Sequence, residues 1–452
     1  MNLNEYLESL RGRRIGVVGA GVSNLPLIRL LAERGIDVTV HDKSPGARRA
    51  ELDALGHVEW VLGEGYLDKL DYELLFRTPG LHPDKLRPGL GENTVLTSEM
   101  EAFFELCPCP ILAVTGSDGK TTTTTVISEI LKASGHRVWL GGNIGAPLLD
   151  RAGDIRPEDL CVLELSSFQL MTMKKAPRVA VVTNVSPNHL DVHKDMAEYV
   201  TAKRNIFDQA VQPETVVLNA DNEITCSFAP EIKGELRLFS RRERVERGAY
   251  LENGTVYLDG EALMPAEDIL IPGLHNVENY MAAFAATRDF APREAMVQVA
   301  RSFPGVPHRI ELVRTLRGVR YYNDSIASSP TRTIAGLRSF RQKVILIAGG
   351  HDKLVPFDTL AKEMQEHVKA LFLVGETAEK IRGAVVSAPG YDPEALPVAV
   401  YDDFGQTVRA AAAAAREGDV VILSPACSSF DRFKNFAERG ETFRGIVMQL
   451  EG

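Results

Sequence analysis

The amino-acid sequence predicts an α/β protein, with sheets of mainly parallel strands and helices between the strands. Short apolar segments of strand type recur along the chain, and three of them, near residues 15, 111 and 343, run directly into glycine-rich turns. Alternating strands, turns and helical patterns are typical of doubly wound sheets. A chain of 452 residues is also too long for one ordinary domain. We therefore expect several α/β domains in succession.

Composition and charge narrow the class of protein. Apolar residues make up 44% and charged residues 25%, as in ordinary soluble globular proteins. The formal charge of −10 argues against nucleic acid as a partner, because a protein needs a basic face to bind nucleic acid. The five cysteines are few and scattered, and Cys107-Pro108-Cys109 has no second pair to complete a zinc site, so we interpret them as buried or incidental thiols. No signal peptide or membrane-spanning segment is apparent, and we expect a cytoplasmic protein without a membrane partner.

The first third of the chain predicts a Rossmann-like domain. Residues 13–24 have the pattern of a strand, a glycine turn and a helix, and the next strand ends at Asp42, 21 positions after Gly21. This is most of a dinucleotide-binding fingerprint, but Asn24 stands where a third glycine is expected. A second strand runs into the Thr78-Pro79-Gly80 turn at the same sheet edge. These features predict a phosphorylated ligand, with a nicotinamide-dependent dehydrogenase as one alternative.

The segment Thr115–Thr122 predicts a phosphate-binding loop of the P-loop type. It lies between an apolar strand at 111–114 and a helical pattern, and glycines there let backbone N–H groups face an anion. Lys120 would reach the outer phosphates and Thr121 would hold Mg²⁺. The alternative is an ordinary helix N-terminus rich in threonine. The predicted ATP-binding residues are Gly116, Ser117, Asp118, Gly119, Lys120, Thr121 and Thr122.

Other polar residues follow strands of the same central sheet. Glu164 ends a buried strand and is placed to complete a Mg²⁺ shell, although it could instead cap a helix. His189 follows the strand at 179–185 and is either a metal ligand or a structural histidine. Lys203 lies on a helix predicted over roughly residues 196–210. Asn276 and Asn279 share one helix face, where they either recognise a base edge or cap the helix.

The last third predicts another Rossmann-like α/β domain after a Pro-Gly segment. Its predicted strands are 319–323, 343–348, 370–374, 398–401 and 419–423. Polar loops follow three of them, at 323–325, 349–353 and 424–430. The alanine run 410–415 predicts a helix only.

Together these segments resemble the Mur ligase family, in order and over essentially the whole chain. The matching segments are residues 115–122, 164–169, 184–191, 275–279, 307–309 and 323–325. The loop motif alone is shared with folylpolyglutamate synthases. The run from Ser424 to Gly440 is similar to that of the family's D-glutamate-adding members in particular.

The resemblance implies three domains and a reaction. Residues 1–108 would bind a UDP-sugar, residues 109–305 ATP and Mg²⁺, and residues 306–452 the amino acid. The implied enzyme is a monomeric ATP-dependent ligase of peptidoglycan precursor biosynthesis, which adds D-glutamate to UDP-N-acetylmuramoyl-L-alanine through an acyl phosphate. The alternatives are a Mur-type ligase for another amino acid, the dehydrogenase, and an ATP-hydrolysing binding protein.

The resemblance also implies site residues. Two Mg²⁺ ions are expected, one at Thr121 and Glu164, the other at His189 and a carbamylated Lys203, and the catalytic residues would be Lys120, His189 and Lys203. The UDP-substrate would contact Gly19, Gly21, Ser23, Asn24, Asp42, Thr78, Pro79, Gly80 and Asn143. Adenine would contact Asn276 and Asn279, and the phosphates and ribose Arg309 and Asp324. D-Glutamate would contact Lys353, Ser429, Phe430 and Phe436.

Two positions depart from the family pattern. Ile326 stands where many relatives have a lysine, two residues after the aspartate that matches Asp324, so the contact of that lysine is missing or supplied by another residue. Ser328 stands where threonine is frequent, and it keeps the hydroxyl.

Overall fold

The structure is a computed structural model that describes residues 2–44, 48–190, 192–353 and 355–451. The predicted α/β class is confirmed, because the described strands form three sheets with helices between them. The chain forms two compact units, one comprising Met1–Asp268 and Glu278–Ala300, the other Ile269–Val277 and Arg301–Gly452. None of the helices in the described part of the chain has the length and apolar character needed to cross a membrane.

The first sheet belongs to the first unit and has five parallel strands in the order β3-β2-β1-β4-β5. Its elements are α1 (Leu3–Leu10), β1 (Ile15–Val18), α2 (Leu25–Glu33), β2 (Val38–Asp42), α3 (Arg48–Asp53), β3 (Val58–Leu62), β4 (Leu74–Arg77), β5 (Val95–Thr97) and α4 (Glu99–Leu106). Because β1 and β4 are neighbours, with Val18 opposite Arg77, the turns after both strands meet at one edge. This confirms the doubly wound arrangement predicted for residues 13–80.

The nine-stranded second sheet has the order β14-β13-β12-β11-β10-β9-β6-β8-β7. Its elements are β6 (Ile111–Thr115), α5 (Lys120–Ala133), β7 (Val138–Gly142), β8 (Leu160–Glu164), α6 (Ser167–Leu170), β9 (Val179–Val182), α7 (Met196–Arg204), β10 (Thr215–Asn219), α8 (Glu223–Cys226), β11 (Glu235–Ser240), β12 (Gly248–Glu252), β13 (Thr255–Leu258), β14 (Glu261–Pro265), α9 (Leu274–Thr287) and α10 (Arg293–Ser302). Strand β6 lies between β8 and β9, so the loops after these three strands share one edge. The antiparallel strands β12 to β14 were not predicted.

Helix α7 ends at Arg204, and the predicted extension to about residue 210 is wrong. The Asn205 side chain donates a hydrogen bond to the carbonyl of Leu170 across 2.9 Å. Ile206 and Phe207 are fully buried immediately afterwards. The chain therefore leaves the helix to fill the core, and Lys203 lies in the last turn of α7.

The interpretation of the cysteines as scattered is also wrong for three of them. Cys107, Cys109 and Cys161 have sulfur atoms 3.4–3.6 Å apart. Their proximity follows from the pairing of β6 with β8, which places Cys161 opposite Ile111. Cys226 and Cys427 lie outside this cluster.

The third sheet, in the second unit, has the order β15-β16-β20-β17-β18-β19. Its elements are β15 (Glu311–Leu316), β16 (Val319–Asn323), α11 (Pro330–Leu337), β17 (Val344–Ala348), α12 (Asp358–His367), β18 (Val368–Val374), α13 (Ala378–Val386), β19 (Val398–Tyr401), α14 (Phe404–Ala414), β20 (Val420–Leu423) and α15 (Phe436–Gln449). Apolar clusters cover both faces. All five predicted strands are confirmed to within two residues at their ends, whereas the antiparallel edge strand β15 was not predicted.

Short 3-10 helices connect several of these elements. They cover Pro83–Lys85, Arg87–Gly89, Leu149–Asp154, Ala229–Glu231 and Ala266–Asp268.

Candidate active site

The loop between β6 and α5 is packed so tightly that two of its positions require glycine. Gly116 has φ 150° and Gly119 has φ 79°, values that favour glycine. A Cβ atom on Gly116 would lie 1.9 Å from Thr183 Oγ1, and one on Gly119 would lie 2.2 Å from Asn279 Oδ1. Positive φ angles and the close approach of the Thr183 and Asn279 side chains therefore explain both glycines of the predicted phosphate loop.

The segment after β9 holds the middle of this loop. Thr183 Oγ1 donates to the Asp118 carbonyl across 2.6 Å, and Asn184 Oδ1 accepts from the Asp118 N–H across 2.9 Å. Ser117 Oγ accepts from the Ser186 N–H at 2.9 Å and donates to the Ser186 carbonyl at 2.9 Å. Ser117 and Asp118 are thus fixed by hydrogen bonds before any ligand is considered.

Lys120 begins α5 and lies over the loop. Its ammonium donates to the carbonyls of Gly116 and Ser117, across 2.9 and 3.0 Å. The N-cap residue, Gly119, provides no side chain for the first turn, where Thr121 and Thr122 follow Lys120. Backbone N–H groups of a first helical turn carry partial positive charge and suit an anion. Lysine and helix end together make an electropositive cradle.

Glu164 joins the loop to the neighbouring strand. Thr121 Oγ1 donates to Glu164 Oε2 across 2.7 Å, and Asn143 Nδ2 donates to Glu164 Oε1 across 2.8 Å. The side chain of Glu164 is buried at the end of β8. The hydroxyl and carboxylate are hard oxygen donors of the kind that Mg²⁺ prefers. The structure thereby brings Thr121, Glu164 and Asn143 together. Among the hydrogen bonds of the described residues, none has Glu164 accepting from the N–H groups of a helix start, as the helix-capping alternative would require.

Lys203 is one of the most deeply buried charged side chains of this unit, with 1% of its surface exposed. Its Nζ donates to the Gly116 carbonyl across 2.6 Å. Burial, and secondly the positive charge of Lys120, lower the pKa of this amine well below its ordinary value. Burial therefore shifts the equilibrium of this amine toward its neutral form.

Tyr199 connects Lys203 with His189 in an aromatic cluster. Lys203 Nζ lies 4.6 Å from the centre of the Tyr199 ring, and the His189 ring lies 6.4 Å from it. The His189 ring also contacts Phe168 edge to face at 5.1 Å. Tyr199 in turn shares a hydrogen bond of 2.9 Å with Ser117 Oγ. The two predicted ligands of a second metal therefore both lie near one tyrosine, which the sequence did not single out because its role depends on its tertiary neighbours.

The two predicted asparagines of α9 have different local contacts. Asn279 Oδ1 accepts a hydrogen bond from Thr123 Oγ1 across 3.3 Å, within the first unit. Asn276 Nδ2 donates to the Pro272 carbonyl across 2.6 Å, within the second unit. Both side chains are buried. The Asn276 side chain donates to a carbonyl and accepts from no N–H of the first turn in this contact, so base recognition and helix capping both stay predictions.

The N-terminal glycine turn is held by its own side chains. The Ala20 N–H and Ser44 N–H donate to the two oxygens of Asp42, each across 2.8 Å. Asn24 Nδ2 donates to the carbonyls of Val18 and Gly19 across 3.0 and 3.1 Å. Asn24, which stands where a third glycine is expected, therefore binds the backbone of the strand end and of the turn.

The turn after β4 lies against this glycine turn. The Thr78 N–H donates to the Val18 carbonyl across 3.0 Å, and a Cβ on Gly19 would lie 3.0 Å from Thr78. Gly21 and Gly80 have open space where a Cβ would stand. The structure thus brings the predicted UDP-binding segments, with Ser23 and Pro79 half-buried beside them, to one edge of the first sheet.

In the second unit, Asp324 is buried at the end of β16. Its carboxylate accepts from Ser424 Oγ across 2.7 Å and from the Ile310 N–H across 3.3 Å. Burial raises the pKa of Asp324 to about 7. Arg309 lies close enough to oppose that increase electrostatically. These two predicted nucleotide-binding residues are therefore neighbours in the same unit.

Three of the predicted amino-acid-binding residues, Lys353, Ser429 and Phe430, lie on two loops that meet at one sheet edge, and the fourth, Phe436, begins α15. The His351 N–H donates to the Ser428 carbonyl across 3.0 Å, which joins the loop of Lys353 to that of Ser429. Ser429 is buried, whereas the aromatic rings of Phe430 and Phe436 are exposed. Lys353 Nζ lies 3.4 Å from the Ser328 carbonyl.

Two family models match the chain. The Mur ligase middle domain matches residues 114–287, and the Mur ligase glutamate ligase domain matches residues 308–427. A UDP-N-acetylmuramoylalanine–D-glutamate ligase from Acetivibrio thermocellus is 51% identical over 464 residues, which cover 99% of each chain. The protein of the same name from Ruminiclostridium cellulolyticum is 48% identical, again over 99% of each chain.

The chain belongs to the Mur ligase family.

Solved structures show the same fold. The UDP-N-acetylmuramate-alanine ligase from Thermotoga maritima superposes with a TM-score of 0.58 at 18% identity, covering 96% of this Mur ligase and 99% of that chain. The MurF ligase from Thermotoga maritima, in complex with ADP, has a TM-score of 0.56 at 18% identity, covering 98% and 97%. Membership of the Mur ligase family rules out the alternative interpretation of residues 15–42 as part of a nicotinamide-dependent dehydrogenase.

A residue of this Mur ligase that the sequence did not reveal as important is Arg77, which is fully buried at the end of β4. Its guanidinium donates to the carbonyls of Pro79 and Leu81 across 3.3 and 3.0 Å. On its other side it donates to Thr172 Oγ1 across 3.0 Å and to the carbonyl of Phe168. Arg77 therefore ties the predicted UDP-binding turn to the segment that carries Phe168 beside His189.

Arg439 has a similar role in the second unit. It is buried on α15 and donates to Ser325 Oγ across 3.0 Å and to the carbonyls of Ser428 and Cys427 across 3.2 and 3.1 Å. Burial lowers the pKa of Arg439 to about 10. Only its position within the 424–440 signature pointed to it, and that signature gave no role for the arginine.

Proposed function

We propose that this Mur ligase adds D-glutamate to UDP-N-acetylmuramoyl-L-alanine with ATP, in peptidoglycan precursor biosynthesis. The observation that carries the proposal is the contact of Thr121 with Glu164 beside an electropositive loop. Together with relatives named for this reaction at 51% and 48% identity over the full chain, it favours a ligase that activates a carboxylate with ATP. We expect it to act as a monomer in the cytoplasm, where ATP is available.

The reaction has two balanced steps. A carboxylate oxygen of the L-alanyl group attacks the γ-phosphorus of ATP, an O–P bond forms, and ADP leaves. The amine of D-glutamate then attacks the carbonyl carbon of the acyl phosphate, an amide forms, phosphate leaves and the amine loses a proton. The first step brings anions together, so positive groups must offset their repulsion. Lys120 and the first turn of α5 provide these groups.

Thr121 and Glu164 would hold one Mg²⁺. A hydroxyl next to a buried carboxylate is a donor pair that fits this hard cation. When bound, the ion would neutralise charge on the phosphate oxygens and orient them. Asn143, which donates to the other oxygen of Glu164, keeps the carboxylate facing the loop.

Carbamylation of Lys203 is part of the same proposal. A neutral amine is required to add CO₂, since the nitrogen lone pair forms the new N–C bond and the amine then loses a proton. The burial of Lys203 and its lowered pKa favour that neutral form. The carbamate would offer oxygen donors to a second Mg²⁺, with His189, whose ring also lies near Tyr199, as a further ligand.

The remaining residues are proposed by their match to the family and by their position at sheet edges. The glycine turn at Gly19–Asn24, Asp42 and the Thr78–Gly80 turn would bind the UDP group. Asn276, Asn279, Arg309 and Asp324 would contact the nucleotide. Lys353, Ser429, Phe430 and Phe436 would contact D-glutamate, and the domain limits at 108 and 305 belong to this proposal.

The test combines the purified protein with UDP-N-acetylmuramoyl-L-alanine, ATP, Mg²⁺ and D-glutamate. We expect one phosphate and one amide product for each ATP consumed, measured by phosphate release and by product mass. Phosphate release that is independent of D-glutamate, or an amide formed preferentially with another amino acid, would overturn the proposal.

A further inference from the structure

Three cysteines from two distant parts of the sequence form a compact cluster at the edge of the central sheet opposite the phosphate loop. The Sγ atoms of Cys107, Cys109 and Cys161 are separated by 3.4, 3.5 and 3.6 Å. Cys109 and Cys161 are buried, and Cys107 is half-buried. Nothing in the ligase chemistry above uses these thiols.

The local sequence explains why two of the thiols lie on one side of the chain. Pro108 disfavours helical geometry for the residue before it. Cys107 accordingly ends α4 with the extended values φ −66° and ψ 114°. In extended backbone, residues two positions apart point to the same side. The Cys-Pro-Cys sequence therefore presents a pair of sulfur atoms.

The sheet register supplies the third thiol. Cys161 lies opposite Ile111, and its N–H donates to the Pro110 carbonyl across 3.0 Å. This fixes Cys161 beside the Cys107–Cys109 segment, 52 residues away from Cys109 in sequence. Sequence inspection found no partner for the pair because this neighbour is created by strand pairing.

We propose that Cys107, Cys109 and Cys161 bind one Zn²⁺ ion as three thiolate ligands, with water as the fourth ligand. Soft thiolates select Zn²⁺ or Cu(I) over Mg²⁺. A Zn–S distance of about 2.3 Å implies sulfur separations of about 3.8 Å in a tetrahedral site, but about 4.0 Å if the metal lies in the plane of three sulfurs. The observed separations of 3.4–3.6 Å are closer to the tetrahedral value.

Binding of the metal would release the thiol protons of the cluster. Thiolate, rather than thiol, is the metal-binding form. The ion would join the segment that connects α4 with β6 to strand β8, which would stabilise this part of the sheet.

The test is a titration of metal-free protein with Co²⁺, in a non-thiol reductant and excess Mg²⁺ to saturate oxygen sites. We expect sulfur-to-cobalt charge-transfer absorption that saturates at one ion per chain and disappears when Zn²⁺ displaces Co²⁺. Cys109→Ser should abolish it. Cys226→Ser is the matched control, because Cys226 is exposed and outside the cluster.

Cys107→Ser keeps the proposal testable if Cys109→Ser fails to fold, because Cys107 is only half-buried. Zn²⁺ should raise the thermal unfolding midpoint of the wild type and of Cys226→Ser by several degrees, but not that of Cys107→Ser. Absorption that survives in Cys107→Ser and Cys109→Ser would overturn the site. Failure to bind Co²⁺ or Zn²⁺, with or without binding of Cu(I), would overturn the tetrahedral zinc assignment.

Discussion

The hydroxyl of Thr121 donates a hydrogen bond to the buried carboxylate of Glu164 across 2.7 Å. This contact joins the first turn of α5 to the end of β8, and it exists because β6 and β8 are adjacent strands. Two oxygen donors are therefore placed beside the phosphate loop by the sheet itself. Predictions about ATP and Mg²⁺ can be tested on this pair and on Lys120.

Glu164→Gln should lower kcat by about 10²- to 10³-fold, the usual loss when one preorganised electrostatic group is removed. The amide can still accept from Thr121, so the fold should be retained, but its neutral oxygen is a weaker Mg²⁺ ligand. The measurement is phosphate release as a function of Mg²⁺ concentration. Glu158→Gln, an exposed position just before β8, is the control and should behave as the wild type. Equal Mg²⁺ dependence in both variants would contradict the assigned metal site.

Lys120→Ala should reduce ligation by at least a similar factor without unfolding the protein. Its half-buried side chain donates to the loop carbonyls of Gly116 and Ser117 and is not part of the buried core. Lys132→Ala, on the same helix and exposed, removes a positive charge that pairs with Glu129 and should leave kcat unchanged. Circular dichroism checks the fold of both variants. A well-folded Lys120→Ala protein with normal turnover would refute the phosphate-loop assignment.

Lys203→Ala should be nearly inactive, and short carboxylic acids should restore part of the activity by supplying the missing oxygens. The cavity left by a side chain that is 1% exposed gives such acids a defined place to bind. Lys174→Ala, an exposed lysine of the same unit, should keep full activity and show no response to the acids. Mass spectrometry of the wild type under CO₂ should detect the carbamate. Full activity after complete CO₂ removal would argue against the modification.

The pKa of Asp324 predicts how the second unit responds to pH. Burial raises this pKa from 3.8 to about 7, so the folded state binds a proton more tightly than the unfolded state. The stabilisation by the protonated Asp324 is complete below the pKa that this carboxyl has in the unfolded chain, and it is lost as pH rises through about 7. The free energy of unfolding of the wild type should therefore fall by about a few kcal/mol between pH 4 and 8, and this fall should be absent in Asp324→Asn, which cannot ionise. Urea unfolding of the wild type and variant across this range measures it, and Asp402→Asn, an exposed position, is the control. An identical pH dependence for wild type and Asp324→Asn would contradict the raised pKa.

The sequence predicted features that depend on neighbouring residues far better than features that depend on strand order. Gly116, Gly119 and Lys120 belong to one local motif between a strand and a helix, so their positions could be predicted although the contacts of both glycines are distant in sequence. Tyr199 and Arg77 could not be predicted in this way, because each depends on a partner that is distant in sequence. Tyr199 contacts Ser117, 82 positions away, and Arg77 contacts Phe168, 91 positions away. For the same reason the sequence did not predict that Cys161 lies beside Cys107 and Cys109, because strand pairing brings it there.

The edges of the sheets were harder to predict than their centres. Fully buried strands such as β6 and β17 are continuous apolar runs and are easily recognised. The edge strand β15 carries a mixed pattern that an exposed loop could equally have. The role proposed for Lys203 came only from the family resemblance, since a buried lysine in a helix has no local sequence signature.

Selectivity for D-glutamate is the prediction that depends most on the C-terminal loops. The ligand has two carboxylates, whereas the proposed residues supply one full positive charge, Lys353, and one hydroxyl, that of Ser429. Lys353→Gln should raise KM for D-glutamate while leaving KM for ATP unchanged, and Lys362→Gln, exposed on α12, should alter neither. An analogue without the side-chain carboxylate leaves buried donors unpaired, at about 1–3 kcal/mol for each. L-Glutamate should also be a poor substrate, because inversion at the α-carbon misplaces either the amine or one carboxylate. A competition among D-glutamate, L-glutamate, D-alanine and L-lysine measures this preference for D-glutamate. Because Ile326 cannot supply the lysine contact of many relatives, Lys353 should carry a larger share of the discrimination, and an unchanged KM for D-glutamate in Lys353→Gln would show that another cation recognises the ligand.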